Sequence, residues 1–209
     1  MKPTIGLLLV LAAACSRADA GRTGTLAVHP ADTAHPWRKP GDKIDSILPM
    51  PEYLRRFREG LAEPARLTGG ATSRNELGRR FLAAVSGRDS ARFADLVVSR
   101  AEFAWLLFPY HLYHDPPYEL DPEIFWMQLT AGSAKGLQRT LERYGGTRLA
   151  LVSVDCERDS RQFGPGPVRA WSSCTVRYRA GDTTETRKLF GSIVERDGRM
   201  KLLSFANDF

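Results

Sequence analysis

The chain has 209 residues, of which 43% are hydrophobic and 10% aromatic; that is enough apolar material for a packed core and excludes a disordered chain. The length allows one domain of ordinary size plus an appendage. Thirty Lys and Arg against 24 Asp and Glu give a formal net charge of +6. The clustered cations, Arg55-Arg56 with Arg58 and Arg79-Arg80, could touch anionic headgroups but read first as solvated helix faces.

The first segment points to export. Lys2 precedes an uncharged apolar run from Ile5 to Ala14, followed at once by small residues, the layout of a secretory signal peptide. The run is shorter than the roughly 20 apolar residues of a permanent membrane helix, and no other segment approaches that length. Ala12-Ala13-Ala14-Cys15 resembles a bacterial lipobox. That resemblance implies cleavage before Cys15, lipidation of its thiol and a membrane anchor in the cell envelope, with residues 1–15 as signal. The competing site is Ala18-Asp19-Ala20, which would release a soluble periplasmic or secreted protein beginning at Gly21. Under either processing an exported chain has no call on nucleic acid.

Residues 16–50 are rich in Gly, Pro, Thr and Ala, with Pro30, Pro36, Pro40 and Pro49 spaced through them, and read as a tether. Pro51 stands at a first helical position, and Tyr53, Leu54, Phe57 and Leu61 follow at helical spacing, so residues 51–72 read as a short helix and a loop. The domain proper is expected over residues 73–209. Ser73 and Glu76 form a capping box for a helix carrying Leu77, Phe81, Leu82 and Val85. Gly87 ends it, and Asp89 caps a second helix holding Phe93, Leu96 and Val97. Residues 101–114 are apolar and aromatic, with no period that separates strand from helix. Asp121-Pro122-Glu123 starts a long helix that runs to Tyr144, with Gly132 and Gly136 weakening its middle and Gly145-Gly146 ending it.

Beyond Gly146 the hydrophobic period becomes two. Residues 148–158, 168–180, 184–195 and 199–207 read as four strands joined by short turns, of which Asp197-Gly198 is the strongest hairpin signal. Helices followed by an antiparallel meander make the α+β class. With the first hairpin centred near Pro165, Cys156 faces Cys174, Val154 faces Val176 and Val152 faces Tyr178, all on one face of the sheet.

Three helices leading into such a sheet, opened by Asn75–Ser86 and Gly87-Arg88-Asp89 and closed by Gly198-Arg199-Met200-Lys201-Leu202-Leu203-Ser204-Phe205, resemble the NTF2-like (cystatin-like cone) superfamily. The resemblance covers about residues 73–207. It implies N-terminal helices packed on a curved sheet, a fold that serves isomerases, dehydratases and domains that only bind or associate. No motif carries that superfamily's acid/base residues onto positions of this chain.

Three constellations bear chemistry. Cys15 belongs to the signal region, which leaves Cys156 and Cys174 as an even pair in an oxidising compartment, expected to be bonded. His111 and His114, with Asp115 or Glu119 nearby, are the beginning of a metal motif but lack further ligands, so no metal site is assigned. An aromatic concentration offers candidate pocket residues in Trp105, Tyr110, His111, Tyr113, His114 and Trp126, expected between residues 103–118, the start of the long helix and the concave sheet face. There is no P-loop, G-x-G-x-x-G, G-x-S-x-G or zinc-type cysteine spacing, so neither a cofactor nor a catalytic residue is assigned. The leading expectation is a non-enzymatic module binding a small apolar ligand or a protein partner. The competing ones are an isomerase- or hydrolase-like enzyme using His111 or His114 with a carboxylate, and a homodimerising structural module.

Overall fold

Helices come first and an antiparallel sheet follows in the computed structural model, which describes residues 48–207, so the chain is α+β. The signal segment, Cys15 and the tether up to residue 47 lie outside the described residues. The helices are α1 (Met50–Arg58), α2 (Arg74–Gly87), α3 (Ser90–Leu96), α4 (Arg100–Glu102) and α5 (Pro122–Tyr144). The strands are β1 (Leu149–Asp159), β2 (Val168–Ala180), β3 (Thr183–Arg187), β4 (Ile193–Arg196) and β5 (Arg199–Leu202). The sheet does not close on itself.

Local chemistry explains most helix ends. Helix α1 begins one residue before Pro51 and buries Met50, Leu54 and Phe57 on one stripe. The Ser73 hydroxyl accepts from the Glu76 amide at 3.2 Å, but Glu76 does not complete the expected box; its carboxylate turns to Arg79 and Arg80 instead. The reciprocal capping box lies at Ser99 and Glu102. Gly87 is the last helical residue of α2, and the left-handed position that ends it is taken by Arg88 at φ 51°. Asp89 caps α3 through the Arg92 amide, and the Asp121 carboxylate accepts from the Glu123 amide at 2.8 Å.

The segment that sequence left between strand and helix is helical as far as Tyr110. Helix α4 runs on into a π-helical stretch, Phe103–Leu107, and a 3-10 turn, Phe108–Tyr110. Phe103, Ala104, Leu106, Leu107 and Phe108 are all buried, so the segment is apolar all round and shows no amphipathic period.

The expected third strand is two strands. Thr183–Arg187 pairs with the C-terminal half of β2 and Ile193–Arg196 with its N-terminal half. Between them the chain leaves the ladder and drops Leu189 and Phe190 into the core. The last strand stops at Leu202, whose carbonyl accepts from the Val98 amide at 2.9 Å, while Ala71 exchanges two bonds with Met200. The edge of the sheet is thereby covered.

Val154 faces Val176 as expected, and Cys156 is bonded to Cys174 with the Cα atoms 4.1 Å apart. Val152 does not face Tyr178. It is an extra residue between the pairs Leu151–Tyr178 and Ser153–Arg177, and the bulge leaves it 44% exposed. A second irregularity sets Ser173, at φ 51°, and Cys174 together opposite Cys156. It switches the inward face of β2. Val168 and Ala170 enter one core, Cys174, Val176 and Tyr178 the other.

Two cores result. In one, Phe81 of α2 meets Phe93, Phe190 and Phe205. In the other, Phe103 meets Phe57, Phe108, Phe125 and Trp126. Helix α5 gives its first half to the second core and its last half to the first. Gly136 is the crossing point, because a Cβ there would lie 2.0 Å from the Phe205 carbonyl oxygen. At the far end of the sheet the open face carries Ala150, Arg177, Arg179, Thr184 and Thr186, all exposed, and is polar rather than apolar.

Candidate functional site

The six candidate pocket residues do not line one cavity. Trp105, on the π-helical stretch, lies under the Arg58 guanidinium, 4.0 Å from its ring centroid. Tyr110 packs on Gly166 of the β1–β2 connection, and its carbonyl accepts from the Gly164 amide at 3.0 Å. Trp126 packs at a tilt against Phe103, ring centroids 5.2 Å apart, and borders a small hollow of about 150 Å³ with Val98, Leu129 and Leu203. His114 is half-buried, edge-on to Phe108, with Nδ1 2.7 Å from Oδ1 of the exposed Asp115. His111 and Tyr113 do come together, in a separate cleft of about 280 Å³.

That cleft forms where four parts of the chain meet. The segment after the 3-10 turn brings His111 and Tyr113. The start of α5 brings Phe125 and Leu129, and the β1–β2 connection brings Gln162. Ser192 and Ser204 enter from the segments before β4 and after β5. The last two segments are held together by the Gly191 amide donating to the Ser204 carbonyl at 3.1 Å and the Leu203 amide donating to the Ser192 carbonyl at 2.8 Å. Gly191 permits this approach, since a Cβ would lie 2.5 Å from Ser204 Oγ. Sequence reasoning missed Gln162, Ser192 and Ser204, because it placed the two serines inside strands. A Gly191-Ser192 pair in the middle of a strand pattern was the one signal of a break.

His111 is 4% exposed and ringed by Tyr113, Phe125 and Phe163, with centroids 4.8 to 5.1 Å away. Burial pushes its imidazole down to about 4, against a smaller pull upward from Asp159. The ring is therefore neutral at pH 7. Its Nδ1 accepts from the Tyr113 amide at 3.2 Å, which puts the ring proton on Nε2 as a donor. Behind the cleft, burial pushes the Asp159 carboxyl up, but hydrogen bonds from the Arg161 backbone amide, the Ser172 side chain and the Gln162 backbone amide outweigh it and hold it below the usual range. An ionised carboxylate only accepts, so the Gln162 amide nitrogen must face it; that nitrogen lies 3.1 Å from Asp159 Oδ2 and 3.3 Å from Ser192 Oγ.

The arrangement suits binding. Its wall is aromatic and aliphatic with a few polar groups, as in small-molecule sites generally. Among the described residues no carboxylate hydrogen-bonds the His111 ring, and no group of three or more His, Cys, Asp or Glu stands ready to hold a metal ion. No described helix is long and apolar enough to cross a membrane. Comparison with known proteins finds no matching family model, no similar curated protein and no similar solved structure.

Proposed function

We propose that this is an exported bacterial envelope protein, lipid-anchored through Cys15, whose domain binds a small apolar ligand in the His111 cleft without transforming it. The carrying observation is the cleft: an aromatic wall from His111, Tyr113 and Phe125 that meets neutral polar groups and holds no acid–base pair. The Cys156–Cys174 bond supports the exported setting, because such bonds persist in oxidising compartments. An NTF2-like relationship is part of this reading and is supported by the order of elements, helices before an antiparallel meander.

An enzyme reading would rest on His114 and Asp115, a hydrogen-bonded pair that does not line the cleft. Association through the open sheet face has less support, since that face is polar.

The neutral dye Nile red tests the ligand reading. Its fluorescence should rise saturably on binding the wild type, and Leu129→Trp, which adds bulk to the cleft wall at a half-buried position of α5, should abolish the rise. A dye signal unchanged in Leu129→Trp would remove the cleft as the site.

A further inference from the structure

We infer that the ligand of this cleft is a neutral molecule with a carbonyl oxygen on an aromatic or alicyclic body: a ketone, ester, lactone or amide. The inference rests on the cleft being the binding site and follows from its free hydrogen-bonding capacity.

The polar groups of the wall set what a ligand can bond to. Both amide hydrogens of Gln162 are committed, to Asp159 and to Ser192, so it offers only its carbonyl oxygen. Ser192 Oγ accepts from Gln162, which leaves its own O–H free to donate. Ser204 Oγ accepts from the Ala206 amide at 3.4 Å, and its O–H is likewise free. The neutral His111 ring, accepting at Nδ1, keeps one donor at Nε2. The Tyr113 hydroxyl can act either way. Three groups besides Tyr113, the two serine hydroxyls and His111 Nε2, are thus able to donate, and a carbonyl oxygen with two lone pairs is a neutral group able to accept from two of them.

Charge decides between a carbonyl and a carboxylate. No Lys or Arg lines the cleft, and the Asp159 carboxylate stands directly behind Gln162. An anion entering would lose its water, find no counter-ion and face that carboxylate. A cation would meet neutral donors. The rings of His111, Tyr113 and Phe125 set the other half of the specification, a flat apolar body. The volume of about 280 Å³ suits a body of one or two rings.

Three probes of one skeleton test this: ethylnaphthalene, acetylnaphthalene and naphthoate, titrated into wild type, Ser192→Ala and Ser204→Ala. Acetylnaphthalene should bind about tenfold more tightly than ethylnaphthalene, the worth of one or two neutral hydrogen bonds, and naphthoate should bind least. The serine variants should bring acetylnaphthalene toward the affinity of ethylnaphthalene and leave ethylnaphthalene unchanged. Equal affinity of the two neutral probes would overturn the carbonyl assignment while leaving the cleft as a site. Naphthoate binding tightest would overturn the neutral assignment. No saturable binding of any probe would overturn both this inference and the reading on which it rests.

Discussion

Lys201 Nζ lies 2.8 Å from Glu102 Oε2, with the two side chains only 3% and 2% exposed. The pair ties β5 to α4. Glu102 also accepts from the backbone amides of Thr68 and Ser99, each at 2.8 Å, so its carboxylate organises the loop before α2 as well. Burial pushes the Glu102 carboxyl up, but the Lys201 bond and those two amides outweigh it and hold it below its usual range. Such a pair is costly to break from one side only.

The two partners are not equivalent. Glu102→Met strands a buried ammonium and should destabilise the domain by about 3–5 kcal/mol. Lys201→Met should cost less, because Glu102 keeps its two amide donors. Chemical denaturation of both variants checks the order; equal losses would contradict it.

His111 predicts an acid limb. Its folded-state value of about 4 is below the ordinary 6.5, so the unfolded chain binds more protons between those two values. Stability from keeping this ring neutral is fully present above pH 6.5 and is lost as pH falls toward 4, by about 3 kcal/mol in all. Glu102 acts in the same direction but lower, since a depressed carboxyl loses its contribution only as pH falls below its unfolded value. His111→Gln should flatten the limb between pH 6.5 and 4 in denaturation curves taken across that range. A limb of unchanged slope would show that His111 is not buried neutral.

The disulfide joins residues 18 apart in sequence, and closing a loop of that length should stabilise the domain by about 3 kcal/mol in the chain-entropy model. Reductant should lower the melting temperature of the wild type, and Cys174→Ala should be insensitive to it. No shift with reductant would mean the bond contributes nothing to folding.

Two glycines of α5 should respond oppositely to alanine. Gly136→Ala places a Cβ against the Phe205 carbonyl and should cost about 1–3 kcal/mol despite the better helix propensity. At Gly132 the nearest atom to a new Cβ is that of Ala206, at an ordinary 3.8 Å, so Gly132→Ala should stabilise by about 0.5–1 kcal/mol. Thermal melts of the pair decide whether α5 crosses the chain after β5 as described.

What was legible in the sequence was local or periodic. The caps at Ser73, Asp89 and Asp121 are made by side chains that name themselves, and the Val154–Val176 register follows from alternation and a turn. What was not legible depends on contacts distant in sequence. Val152 reads as a core residue by parity, and only a bulge against β2 expels it. Residues 184–195 alternate well enough to read as one strand, yet Leu189 and Phe190 have a better place in the core beneath it. The buried π-helical stretch has no polar face to betray its period. The cleft was half visible. Aromatic density marked His111 and Tyr113, whereas Gln162, Ser192 and Ser204 are ordinary polar residues until the breaks around β4 and β5 gather them.

The most direct test of the ligand site is an amide NMR titration of the domain with acetylnaphthalene. Saturable shifts should centre on His111, Gln162, Ser192 and Ser204, with the amides of the open sheet face, Arg177 and Arg179, unmoved. Shifts centred on any other surface, or none at saturating probe, would contradict this.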